Sequence, residues 1–317
     1  MRTMKIGLGL ALLCCPLAQA HDIPSAPEPM QLDALLSAVG WSYDTEVETQ
    51  SLAEGFYVLF GVGGNVLVSS GADGVIMVDD QFPKMVPKLK QAMRKMGDRN
   101  VDFVITTHWH FDHADGNQVL GKKDVWLVSQ INSRRMMQRD NVINMVSLAY
   151  RQEPYPAHAL PGITFDQRMQ FHLNGERIDL LHFGPAHTTG DTAVIFRGQN
   201  AVHMGDVFNN AGYPFIDADN GGSLDGLIAF CEAVLAEIDE DTTVVPGHGA
   251  VATHAEMQNY VHMLKTVRGE MLVLIRQGKS LAEIQAAGIT ATWDEKMGDP
   301  DSFLNRAYVS LTHKAVP

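Results

Sequence analysis

The segment Thr106-Thr107-His108-Trp109-His110-Phe111-Asp112-His113-Ala114-Asp115-Gly116 places four side chains able to bind a metal ion within six positions, directly after an apolar run. Alternate residues of an extended backbone point the same way, so His108 and His110 can face one ion while a turn at Asp112 and His113 serves a second. Imidazoles with carboxylates suit zinc and other borderline divalent ions better than magnesium or calcium. Three later positions have the same character, each beside glycine and after an apolar run: His187 in Gly184-Pro185-Ala186-His187, Asp206 in His203-Met204-Gly205-Asp206, and His248 in Pro246-Gly247-His248-Gly249. Glycine permits the sharp turn that presents the next side chain at a sheet edge. His158, His172, His182, His254, His262 and His313 have no such company and read as structural or solvated. His203, although near Asp206 in sequence, reads the same way.

These side chains need a scaffold, and the chain supplies one. Phe56 to Phe60, Asn65 to Ser70 and Gly74 to Asp79 are short apolar runs between glycine-rich turns, which predicts a strand meander. Pro83 to Met96 has helical spacing, with methionines as core fillers, and Val101 to Thr106 returns to a buried strand. The plan repeats with strands near Phe171 to Leu173, Arg177 to Phe183, Thr192 to Phe196, Ala201 to Met204 and Thr242 to Val245, and a helix from Asp225 to Ile238. Helical patterns at Ala255 to Arg276 and Ser280 to Ala287 are expected to close the chain. Strands grouped between helices indicate an α/β or α+β class with two sheets. No linker divides residues 51–317, which read as one catalytic domain behind an arm over residues 21–50 with a short helix near Gln31 to Val39.

Motif, order and context resemble the metallo-β-lactamase superfamily from about Phe56 to His248, with its H-x-H-x-D-H signature standing at His108 to His113. The resemblance implies an αββα sandwich of two similar halves with the metals at one sheet edge. It implies that His108, His110 and His187 hold a first zinc and that Asp112, His113 and His248 hold a second. Asp206 matches the carboxylate that bridges both ions in the glyoxalase II and lactonase branches. Asp79 falls where the family usually carries an aspartate that supports the site, as an acceptor for a ligating imidazole.

Two such ions would bring a shared water to a pKa near neutrality and polarise a carbonyl. A metal-bound hydroxide could then cleave an amide, ester or thioester with no Ser or Cys nucleophile, and Cys231 reads as a packing residue. Asp112 is expected to orient the nucleophile and pass its proton to the leaving atom. The segment Val207 to Ser223 is expected to choose the substrate, with the Tyr213 hydroxyl or the Asn210 amide holding the developing oxyanion. A small-molecule acyl substrate is implied, with a β-lactam considered first. Zinc β-lactamases generally carry Cys or Ser where Asp206 stands, which brings a lactonase or a glyoxalase II-like thioesterase close behind. An iron-dependent oxidoreductase resembling the persulfide dioxygenases and a non-catalytic metal-binding protein are the readings from other classes.

Arg2 and Lys5, the apolar run Ile6 to Leu17 and Ala18-Gln19-Ala20 read as a cleavable leader over residues 1–20, so export to the periplasm or the exterior is expected. A lipid anchor at Cys14 or Cys15 fits less well, because Leu13 and Cys14 are bulky for the residues preceding such a site. Removing the leader leaves Cys231 without a disulfide partner in the chain. The net charge of −13 disfavours nucleic acid and anionic membranes as partners, and no later run is long enough for stable membrane insertion. An anionic small substrate stays open, because bound cations dominate the field inside a site.

Overall fold

A computed structural model describes residues 25–97 and 100–312. The leader expected over residues 1–20, with Cys14 and Cys15, and His313 lie outside the described residues. The first sheet contains β1 (Glu48–Ala53), β2 (Phe56–Phe60), β3 (Val66–Gly71), β4 (Gly74–Val78), β5 (Phe103–Thr106), β6 (Trp126–Gln130) and β9 (Ile163–Phe165), in that spatial order. Between β6 and β9 the chain makes a separate antiparallel hairpin, β7 (Asn141–Asn144) and β8 (Ala149–Gln152). The second sheet runs β10 (Arg168–Leu173), β11 (Glu176–Leu181), β12 (Ala193–Phe196), β13 (Ala201–His203), β14 (Thr243–Val245) and β15 (Ala252–Thr253). In the first sheet β1 to β4 form an antiparallel meander, while β4, β5, β6 and β9 are parallel. In the second sheet the parallel pair is β13 with β14.

Side-chain alternation explains why the sheets stack. Along β2, Phe56 and Val58 face the other sheet and meet Phe196, Val194 and Ile178, whereas Tyr57 and Leu59 face a helical layer. That layer holds α1 (Leu32–Ala38) and α2 (Val86–Lys95). The outer face of the second sheet, with Ile195, Val202 and Val244, is covered by α6 (Leu224–Leu235), α7 (His254–Arg276) and the C-terminal helices. The result is an α/β sandwich in the order helices, sheet, sheet, helices, with three apolar layers. Capping boxes at Thr253 with Glu256 and at Ser280 with Glu283 start α7 and α8 (Leu281–Gln285) where the sequence pattern places them.

Several expectations need correction. The chain does not close at α8: α9 (Asp294–Met297) and α10 (Asp301–Thr312) follow, and α10 buries Phe303, Leu304, Ala307 and Tyr308. Three shorter helices, α3 (Phe111–Ala114), α4 (Asn117–Leu120) and α5 (Ile131–Met137), lie between β5 and β7. The short helix expected in the arm is α1, but the last residues of the arm also begin β1, which pairs with β2 in the first sheet. Met85 and Met93 fill the core, but Met96 is exposed because α2 ends at Lys95 and the chain turns away at Gly97, φ 94°. Among the described residues no helix is long and apolar enough to cross a membrane.

Phe56 and Phe196 meet edge to face across the sandwich with ring centroids 5.0 Å apart. Phe196→Ala removes this contact and leaves a void between well-packed sheets, so it is expected to lower unfolding free energy by about 3–5 kcal/mol in urea titration of the protein.

Candidate metal centre

Each ligand-type residue sits in a turn or loop that follows a strand, and hydrogen bonds, some from distant parts of the chain, hold three of these turns. After β5, the Asp79 carboxylate accepts the Thr107 N–H at 2.7 Å and the Thr107 hydroxyl at 2.8 Å. That pins the turn from which His108 and His110 project, with Asp112 and His113 following in α3. Asp79 itself sits at φ 64°, directly past β4. Beyond β11, the Asp191 carboxylate accepts the Thr188 N–H at 2.8 Å and the Thr188 hydroxyl at 2.9 Å, which shapes the loop carrying His187. After β13, Asp206 lies in a single 3-10 turn that starts at Gly205, φ 51°. Past β14, the Asn65 amide donates to the Pro246 and Gly249 carbonyls at 2.9 and 2.8 Å, which holds the turn of His248 against the first sheet. Gly247 is required there, since a Cβ would lie 1.9 Å from Asp206 Oδ1.

The structure brings the seven ligand-type residues together. Three overlapping groups, His108 with His110 and His187, His108 with His113 and Asp206, and Asp112 with His113 and His248, each have ligand atoms within 4.8 Å of one another. His187 Nε2 is 2.9 Å from His110 Nδ1, and His113 Nε2 is 3.2 Å from His248 Nε2. Asp206 faces both sides, with oxygens 3.0 Å from His113 Nε2, 3.5 Å from His248 Nε2 and 3.7 Å from His187 Nε2. Asp112 Oδ2 lies 3.1 Å from His248 Nε2. His108 Nε2 is buried and has no hydrogen-bond partner among the described residues. An orphaned ring nitrogen aimed into a knot of imidazoles and carboxylates fits a cation there.

Four of the five rings are held from behind at the far nitrogen. His113 Nδ1 meets Asp79 Oδ2 at 2.7 Å, His110 Nε2 meets Asp217 Oδ2 at 2.9 Å, and His187 Nδ1 meets the Phe215 carbonyl at 2.8 Å. His108 Nδ1 lies 3.1 Å from the Thr107 hydroxyl. Trp41 stacks on the His248 ring at 6.0 Å between centroids. In the metal-free protein, burial opposes charging His113, but Asp206, Asp112 and Asp79 together outweigh it and hold its pKa well above the usual range. His248 shows the same balance, with Asp206 and Asp112 raising it to about 9 against burial. His108 is pushed well below its ordinary value by burial and by the neighbouring His113 and His187. Metal uptake must displace the protons on His113 and His248, so affinity rises with pH.

Residues 57–248 match the family described as the metallo-beta-lactamase superfamily, a span that contains every one of these ligand-type side chains. The chain belongs to this superfamily. Its fold is similar to that of a metallo-beta-lactamase from Pontibacter korlensis, with a TM-score of 0.58 and 15% identity over 69% of this chain and 99% of that one. It is also similar to the DIM-1 metallo-beta-lactamase, with a TM-score of 0.56 and 17% identity over 70% and 98% of the two chains. The same enzyme exposed to ceftazidime aligns at a TM-score of 0.54 and 18% identity over 70% and 97%.

Tyr213 and Asn210, expected at the oxyanion, are engaged elsewhere, while His203 and Cys231 have the structural places expected of them. The Tyr213 hydroxyl donates to Asp294 Oδ1 at 2.8 Å, with the Thr290 carbonyl at 3.2 Å, so a carboxylate of α9 claims the proton that an oxyanion would need. The Asn210 amide donates to the Ala250 carbonyl at 3.1 Å. His203 is held by backbone at both nitrogens, 3.0 Å from the Asn65 carbonyl and 3.1 Å from the Gly205 N–H, which leaves no free lone pair for a metal. Cys231 is fully buried, its thiol directed to the Val207 carbonyl. Sequence reasoning missed Asp217 and Asp191, which touch no motif, and Trp41, which lies in the weakly patterned arm.

Asp217→Asn and Asp79→Asn each replace an anionic acceptor behind a ligand ring. Either is expected to weaken metal binding about 10- to 100-fold in a chelator competition, with far-UV circular dichroism unchanged.

Proposed function

We propose that this protein is a two-zinc hydrolase that cleaves an amide- or ester-type bond in a small acyl compound. The observation that carries the reading is Asp206, whose two oxygens face both histidine groups at once. His108, His110 and His187 would hold one ion and Asp112, His113 and His248 the other, with Asp206 shared. When bound, the ions supply Lewis acidity and a water acidic enough to attack a carbonyl near neutral pH. Asp112 lines the cavity above the centre, where its carboxylate can orient that water and carry its proton to the leaving atom. His110 and His248 line the same cavity and keep their rings fixed through Asp217 and Trp41. The oxyanion role expected for Tyr213 is not carried forward, since its hydroxyl is already engaged.

A β-lactam, a lactone and a thioester present the bond types to test, and the fold likeness to β-lactamases favours including the first. Residues 1–20 are proposed as an export leader, which would place the enzyme in the periplasm or outside the cell. Neither nucleic acid nor a membrane is proposed as a partner. Metal analysis of the purified protein is expected to find about two zinc ions per chain. Activity on at least one substrate of the three classes is expected to vanish with chelator and return with zinc. Asp112→Asn is expected to lower kcat by about 100-fold or more. One iron per chain with oxygen uptake would overturn the hydrolase reading in favour of an oxidoreductase.

A further inference from the structure

The cavity over the ligand groups has a volume of about 460 Å3, within the range of small-molecule sites. Trp41, Phe111, Ile143, Met145, Phe215 and Phe303 give it apolar walls drawn from the arm, α3, the β7 region, the loop after β13 and α10. Among the described residues no lysine or arginine lines it. Its charged side chains besides the histidines are Asp112 and Asp206 in the ligand set, together with Asp299. Asp299 is exposed, and its Oδ1 accepts the Asp301 N–H at 2.9 Å where α10 begins. The basic residue of the same helix, Arg306, is engaged elsewhere, 2.9 Å from Asp219 Oδ2 and 2.7 Å from Asn305 Oδ1.

These walls have a consequence for charge. A carboxylate on a substrate would be attracted to bound cations in place of the scissile carbonyl, unless a fixed cation on the wall held it elsewhere. Among the described residues no lysine or arginine lines this cavity to do so, and Asp299 repels an anion that enters. The net charge of −13 acts in the same direction at longer range. We propose, resting on the acyl hydrolase reading, that the substrate is an acyl compound with an apolar body and no carboxylate, and that Asp299 is the residue that selects for an uncharged or cationic group beside it. Uncharged lactones and thioesters are therefore better substrates than β-lactams that carry a carboxylate.

The test uses zinc-loaded protein and three p-nitrophenyl esters of similar length: the pentanoate, the monoester of glutarate, and the 4-(trimethylammonio)butanoate. The neutral and cationic esters are expected to exceed the glutarate in kcat/KM by about tenfold or more. Asp299→Lys is expected to raise the glutarate and lower the cationic ester by about three- to tenfold each, and the shift shrinks as salt is added. Asp299→Asn moves both in the same direction by less and guards against misfolding of the lysine variant. A second readout is independent of turnover: calorimetric binding of 4-phenylbutyltrimethylammonium should weaken about three- to tenfold in Asp299→Lys, in metal-free protein as well. Glutarate cleaved as fast as pentanoate, or cation binding unmoved by the substitution, overturns the proposal. If no ester, β-lactam, lactone or thioester is cleaved while cation binding still depends on Asp299, the hydrolase reading falls and the assigned ligand chemistry stands.

Discussion

Buried lone pairs that point at one another repel, and this constraint organises the molecule. His108, His110 and His187 converge on one side of Asp206, and Asp112, His113 and His248 converge on the other, with the ligand atoms of each group within 4.8 Å of one another. Protons on His113 and His248 relieve part of that repulsion in the metal-free protein, where surrounding carboxylates keep those rings charged. His108 has no such relief, since burial disfavours its charged form and its Nε2 meets no partner among the described residues. Divalent cations would satisfy these lone pairs together, so the side chains stand ready for a metal before one arrives.

Holding such a cluster requires that the rings be unable to turn away. Asp79, Asp217 and the Phe215 carbonyl fix the far nitrogens of His113, His110 and His187. The loop after β13 therefore has two duties. It borders the cavity through Pro214 and Phe215, and through Phe215 and Asp217 it fixes two ligand-type rings. A change in that loop made to admit another substrate would also disturb the metal site. The rigid sandwich behind it, with Phe56 and Phe196 in contact between the sheets, supplies the frame against which those loops are held.

The parts of the site that were legible in the sequence are those whose geometry is local. Four ligand types within six residues, after a buried strand, could be read from His108 to His113 because a short segment fixes their relative directions. His187, Asp206 and His248 were legible through their glycine neighbours. Asp217 was not, since its partner His110 is 107 residues away and no spacing rule joins them. Tyr213 was assigned a catalytic role because sequence cannot show that Asp294 would take its proton. Trp41 was hidden by the irregular pattern around it. The helix α10 was readable and overlooked, since Phe303, Leu304, Ala307 and Tyr308 recur at helical spacing.

His108, His110, Asp112 and His113 descend from the first sheet, while His187, Asp206 and His248 come from the second, and Asn65 ties the two at the His248 turn. Each ligand group thus borrows from both halves, and neither half alone can retain an ion in full coordination. A cation bound in either group would therefore tie the two sheets together, a cross-link that no segment of one half could make alone.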